Sequence, residues 1–512
     1  MVKITIIMRN RFLFVFLFIS ILTTVGYGQE QTAKSENSDP EAKVSTTKQK
    51  VTINGQTINL TAHAGTFEVR DENNKGIALM GFTAYFKDGA PSDRPIMFAY
   101  NGGPGSSSFW LHMGVMGPKR IVVDDPNFNK AAPYQIVNNE YSILDKADLV
   151  MLDPVGTGLS VPIGEAEFSD FWGVDQDIRS ISLFITQFLI HHDRMNSPKF
   201  LLGESYGTFR NAGVMNKLLS QGVALNGVIM VSAVFDLRTL MFPPDDDMPY
   251  IVHFPTYAAT SWYHNKIERA ESDVYKFLDE VRNFVEDEYV PALFKGDQLS
   301  EESRESIASR LSDFTGISKE YWLRSDLRVK ASEYFAELLR DEGKLVGRLD
   351  SRYSGINQDL LSQNGSYDPQ SLAISPAYIQ GFLNYFHNDL KVDKSLMYSV
   401  TAGRRPGFKW DWAHEGNRGW GTQTAINTGP DMARALSRDP NMRVLIMNGI
   451  YDIATVFYGV EHSINHLGLT PEIKKNIIMT YYEAGHMMYT ENNSLQKFKD
   501  DLDSFVDDTL KR

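Results

Sequence analysis

The chain of 512 residues contains no cysteine. It can form no disulfide, and it lacks the cysteine that a lipid-anchored bacterial lipoprotein needs at its cut site. Secreted eukaryotic proteins of this size ordinarily carry disulfides, so export without cysteine points to a bacterial periplasm or medium. Positive charge is also scarce. Lys and Arg number 51 against 64 Asp and Glu, for a formal charge of −13. No Lys/Arg cluster supplies the basic face of a nucleic-acid binder. After the N-terminal segment no long apolar run recurs, so a soluble mature chain is expected. No internal repeat is present, and no glycine-rich loop carries the Walker lysine of a phosphate cradle.

The N-terminus has the pattern of a secretory signal. Lys3, Arg9 and Arg11 precede an apolar stretch, Phe12 to Leu22, too short to span a bilayer. Gly26 and Gly28 place a cut before Gln29. Residues 1–28 are therefore expected to be a cleaved signal peptide, and the polar, aromatic-free residues 29–50 a flexible linker. The expected location is periplasmic or secreted, with no membrane association after cleavage.

From residue 51 to 90 apolar and polar residues alternate, with "NG" and "NNKG" as turn signals, which predicts antiparallel hairpins. Short apolar runs then recur at 94–100, 147–153, 198–203, 227–233, 443–449 and 476–482, separated by helix-like stretches. That rhythm predicts a mostly parallel sheet with helices on its faces. It breaks between about 238 and 415, where helical patterns occur without a buried-strand run. The expected organisation is an α/β core over 51–237 and 416–512, interrupted by a helical lid insertion over 238–415.

"GESYG" (203–207) lies between the apolar run "PKFLL" and a helix-capable segment. In a nucleophile elbow, G-x-S-x-G turns sharply from strand to helix and leaves the serine exposed. Ser205 is then a nucleophile; the alternative is a small residue in a tight turn. A serine nucleophile needs a base, and the base an orienting acid. In α/β-hydrolases these follow in the order Ser, acid, His. His486, in "YYEAGHMMY", lies just past the last predicted strand. Asp452, in "NGIYDIAT", lies just past the strand before it. Asp153 and Asp177 precede the serine and are in the wrong order. His112 stays a candidate on the substrate side. The oxyanion requires two N–H donors, one from Tyr206 and one from the glycine-rich loop Asn101–Gly105. "PPDDDMP" (243–249) reads as a solvated loop rather than a metal site.

Together "NGGPGSSS", "DPVGTGLS", "GESYGT", "NGIYD" and "EAGHMMY" resemble the serine carboxypeptidase family. The resemblance implies an α/β-hydrolase fold and release of C-terminal residues from peptides with a free C-terminus, with no cofactor or metal. It implies Ser205, Asp452 and His486 as the triad and Gly103 and Tyr206 as the oxyanion donors. It implies Asn101, Gly102 and Glu204 as the holders of the substrate carboxylate. Glu204 can serve beside a carboxylate only when it is protonated. Three positions depart from the family pattern. Val115 stands where an acidic residue shares the Glu204 proton, Ala99 replaces a tryptophan, and Ser106 replaces a cysteine. A compensating base is expected, from Lys119, Arg120 or the lid. An esterase or acyltransferase on the same fold is the alternative activity, and a non-catalytic binding protein the third reading. Side-chain preference and oligomeric state are not legible.

Overall fold

A computed structural model describes residues 40–268, 271–414 and 425–511. The expected signal peptide and the first half of the expected linker, residues 29–39, lie outside them. Nine strands in one sheet carry the architecture: β1 (Val44–Ile53), β2 (Gln56–Arg70), β3 (Gly76–Lys87), β4 (Ile96–Tyr100), β5 (Asp148–Leu152), β6 (Lys199–Glu204), β7 (Gly227–Val231), β8 (Arg443–Gly449) and β9 (Ile477–Tyr482). Their order is β1-β2-β3-β5-β4-β6-β7-β8-β9, and a two-residue tenth strand, Val161–Pro162, pairs with β3. The first three strands are antiparallel, β3 meets β5 antiparallel, and from β5 to β9 every pairing is parallel.

β4, β5, β6, β7 and β8 are buried along their whole length, because helices cover both faces of the sheet. Period-two alternation then sorts each strand between two cores. Met97 and Ala99 join one core, while Ile96, Phe98 and Tyr100 join the other. The second core is closed by α1 (Val174–His191) and α2 (Tyr206–Ser220), the crossovers on either side of β6. α1 buries Ile178, Ile181, Ile185 and Phe188 at helical spacing, and places Asp175 and Asp177 in its first turn, where the helix dipole favours them.

Two boundaries differ from the sequence expectation. β1 begins at Val44, inside the stretch read as linker. Its "VSTTKQKVTI" is polar because it is an edge strand with one side in water, yet it pairs with β2 over its full length. Between β7 and β8 the described residues hold helices, among them α3 (Met248–Tyr263), together with a small hairpin, Lys344–Val346 with Ser354–Ile356. α3 and its neighbours enclose a separate core built on Phe254, Phe284, Phe314 and Trp322. α4 (Pro369–Asn388) does not join that core. Its Tyr378, Phe382 and Phe386 pack into the sheet's first core beside α5 (Asn492–Leu510). Among the described residues no helix is long and apolar enough to cross a membrane.

Candidate active site

The residues singled out from the sequence gather at one edge of the sheet. Parallel strands end on the same side, and Asn101, Ser205, Asp452 and His486 follow the C-terminal ends of β4, β6, β8 and β9. Ser205 lies between β6 and α2 with φ 61° and ψ −129°. A non-glycine residue there carries strain of order 1–3 kcal/mol. The turn is held by Ser205 N–H donating to Val231 O at 2.9 Å. Crowding explains the glycine in front of it: a Cβ on Gly203 would fall under 3.0 Å from the Gly207 carbonyl.

His486 and Asp452 form a buried pair. His486 Nδ1 is 2.7 Å from Asp452 Oδ2, and Asp452 is wholly inaccessible to solvent. Asp452 Oδ1 accepts from Ala454 N–H (2.8 Å) and Thr455 N–H (3.0 Å), and Oδ2 accepts from Thr455 Oγ1 (2.7 Å). These donors fix the carboxylate so that it accepts a hydrogen bond from Nδ1–H, the tautomer that leaves the Nε2 lone pair unprotonated. The His486 main chain is pinned as well. Its N–H donates to Leu349 O (2.7 Å), and its carbonyl accepts from Ser232 Oγ (2.6 Å). Leu349 in turn is anchored by Asp368, the N-cap of α4. Burial alone would lower the His486 pKa. The Asp452 charge and hydrogen bond outweigh it, with a contribution from Glu204, so the imidazole titrates above its ordinary value. Ser205 Oγ makes no hydrogen bond to His486 in this arrangement; such contacts commonly tighten only when substrate binds.

The glycine loop presses on the start of α2. A Cβ on Gly102 would fall under 3.0 Å from both Tyr206 N and Gly207 N. Tyr206 opens the helix, so its N–H has no intrahelical acceptor, and the Gly103 N–H donates to no described protein group. The loop is braced by Asp153, whose Oδ1 accepts from Ser108 N–H (2.8 Å) and whose carboxyl burial pushes up to about 6. It is braced again by Arg210, fully buried in α2. Arg210 pairs with Asp177 at 2.6 Å and donates to Asn101 O at 2.9 Å.

Glu204 is buried directly beneath the loop. Its Oε1 accepts from Asn101 Nδ2 (2.8 Å) and its Oε2 from Tyr489 Oη (2.7 Å). Burial pushes its carboxyl up to about 7, against the opposing pull of His486 and of the hydrogen bonds from Tyr489 and Asn101. The expected compensating base is not what meets it. Among the described residues Glu204 bonds neither Lys119 nor Arg120, and the Arg120 guanidinium lies over the Tyr141 ring, 5.4 Å from its centroid. A phenol three residues beyond His486 takes that place. Val115 is fully buried, on the π-helical turn His112–Met116.

Other candidates fall away from this cluster. His112 is a core residue: its Nε2 is 2.7 Å from Tyr85 Oη, and burial pushes its pKa down to about 3. Asp177 serves Arg210. In "PPDDDMP", Asp246 accepts from Met248 N–H and Asp247 pairs with Arg328 at 2.6 Å. Arg210, Thr455 and Tyr489 were not anticipated. Only Arg210 carried a signal, as a charge on the apolar face of a predicted helix.

Comparison with known proteins agrees with this fold. A family model described as serine carboxypeptidase matches residues 53–500. A curated relative, serine carboxypeptidase-like 33 of Arabidopsis thaliana, is 24% identical over 202 residues, spanning 39% of this chain and 38% of that protein. Among solved structures, Kex1Δp of Saccharomyces cerevisiae, a prohormone-processing carboxypeptidase, aligns with a TM-score of 0.53 at 16% identity. That alignment covers 88% of this chain and 92% of the other. The likeness is one of fold, and the α/β-hydrolase architecture expected from the sequence is the one observed.

Proposed function

The chain belongs to the serine carboxypeptidase family, and from that premise we propose that it is a serine hydrolase releasing residues from the free C-termini of peptides. The observation that carries this reading is the buried His486–Asp452 pair beside the strained Ser205 elbow. Ser205 Oγ attacks the scissile carbonyl while His486 Nε2 takes its proton. The tetrahedral oxyanion is held by the N–H groups of Tyr206 and Gly103, strengthened by the positive end of α2. His486 then gives the proton to the departing amine, leaving an ester on Ser205. Water attacks that ester by the same route and frees the shortened peptide. None of these steps requires a cofactor.

Asn101 and Glu204 supply the reading of the terminal carboxylate. Protonated Glu204 can lie beside a carboxylate; ionised Glu204 repels it. The helical insertion between β7 and β8 shapes the acyl-side pocket. An N-terminal signal exports the enzyme, and the absence of cysteine favours a bacterial periplasm or medium. Digestion of peptides with free, amidated and N-blocked termini, followed by mass spectrometry, tests the proposal. Stepwise loss from free C-termini, abolished by Ser205→Ala, is the expected result. Cleavage of esters alone defeats it in favour of an esterase or acyltransferase. That second reading is favoured by one observation, namely that among the described residues Glu204 is partnered by a phenol and an amide and by no second carboxyl group.

A further inference from the structure

We propose that Tyr489 is the specificity-determining partner of Glu204, acting as a reversible hydrogen-bond relay between Glu204 and the terminal carboxylate of the substrate. The proposal rests on the carboxypeptidase reading above and adds a residue to it. Three observations carry it.

The first is the direction of the hydrogen bonds. Asn101 Oδ1 accepts from Leu111 N–H at 3.0 Å, so the Nδ2 group faces Glu204 Oε1 and can only donate. A proton on Glu204 must therefore sit on Oε2, the oxygen 2.7 Å from Tyr489 Oη. When Glu204 is ionised, the phenol donates to it and both carboxylate oxygens are satisfied. When Glu204 is protonated, Oε2–H donates to Tyr489 Oη, and the single phenolic hydrogen is released to another acceptor. A carboxylate placed against Asn101 and Gly102 is that acceptor. No proton leaves Glu204 in this exchange; only the phenolic O–H turns.

The second is occupancy. The Tyr489 ring lies so close to the backbone of Gly114 that a Cβ there would fall under 3.0 Å from the ring. The phenol thus lies against the turn that bears Val115. The third is that Tyr489 stays neutral. Burial, followed by the charge of Glu204 and the nearby Tyr378, holds its hydroxyl well above the ordinary phenol range. It carries a hydrogen at every working pH.

The groups that bear on Glu204 come from four directions. His486 favours its ionised form and Asp452 opposes it. Tyr489 and Asn101 donate to it. Tyr378 of α4 feels its charge, partly offset by that of Arg120. Tyr489 is the one of these that can both give and accept a hydrogen bond at Oε2.

The test is Tyr489→Phe in the full-length chain, assayed from acid to alkaline pH. Two substrates are compared: a peptide with a free C-terminus and an uncharged N-acyl amino acid ester. The expected result is a KM for the free-carboxylate peptide raised about 10- to 100-fold at acid pH, the worth of one hydrogen bond to a charged group. The KM rise on alkalinisation should also move to higher pH, because ionised Glu204 has lost a donor. In a Glu204→Gln background Tyr489→Phe should cost as much as it does in the parent chain at acid pH, with no dependence on pH, because the glutamine amide donates to Tyr489 Oη as protonated Glu204 does. Equal losses on both substrates, or an unmoved pH midpoint in an enzyme that does prefer free carboxylates, overturn the relay alone. A parent enzyme indifferent to the free carboxylate overturns the carboxypeptidase reading and the relay with it.

Discussion

Glu204→Gln isolates the electrostatics of the elbow from any question of substrate. Burial moves the Glu204 pKa from 4.5 to about 7. At 1.36 kcal/mol per unit, ionised Glu204 destabilises the folded state by about 3 kcal/mol. The sign follows from proton binding: the folded state holds this proton more tightly than the unfolded chain. The cost is therefore absent below about pH 4, grows as pH rises, and is complete above about pH 7. Glutamine is neutral throughout and keeps the shape, with its oxygen accepting from Asn101 and its amide donating to Tyr489. Unfolding roughly 470 residues at about 2.1 cal/mol/K each gives an entropy near 1 kcal/mol/K, so the variant should melt about 3 °C above the parent near pH 8. Near pH 4 the two should coincide. Scanning calorimetry at both pH values, at one scan rate, makes the measurement. A variant that melts lower near pH 8, or that differs equally at both, refutes the reasoning. It would mean that Asn101, Tyr489 and His486 stabilise a Glu204 already ionised at acid pH.

Four further outcomes are expected. Asp452→Asn should lower kcat about 10³- to 10⁴-fold with little change in KM, because the amide favours the wrong imidazole tautomer; steady-state kinetics reads it directly. With free-carboxylate peptides, kcat/KM should rise as His486 loses its proton and fall again above about pH 7 as Glu204 ionises. With an uncharged ester only the rise should remain. Gly102→Ala should cost about 100-fold in kcat/KM, since its Cβ would displace the loop from Tyr206 N–H. Arg210→Met should lower stability in urea titrations by about 3–5 kcal/mol, because it strands Asp177 as an unpaired buried charge.

The middle of the sheet was legible because β4 to β8 are buried on both faces. A run such as "GVIMV" with helix-like neighbours leaves few other interpretations, and β7 lies where the run is. β1 was misread because an edge strand need only alternate weakly, and "VSTTKQKVTI" has the composition of a linker. The assignment of 238–415 to one helical insertion also missed a distinction that composition does not carry. α4 and the lid helices both read as helical in the sequence, and only their packing shows that α4 lies on the sheet's own core.

The site divides along the same line. The gathering of Ser205, Asp452 and His486 at the strand ends was legible because each follows a recognisable strand, and the glycines mark where backbone must approach backbone. Tyr489 carried no such mark. Nothing in "GHMMY" distinguishes a tyrosine that packs from one that bonds a carboxylate nearly 300 residues earlier. What the resemblance did show was a deficit: Glu204 without its usual acidic partner, and the structure adds that Glu204 is buried. A buried carboxyl group cannot be left unsatisfied on one oxygen without cost, so some donor had to stand at Oε2. The expectation of a base answered the charge of Glu204. The phenol answers its hydrogen bond and leaves the charge to be removed by protonation. That choice lets the pocket around Glu204 become neutral on protonation, whereas a lysine or arginine would hold Glu204 ionised, the form that repels a carboxylate.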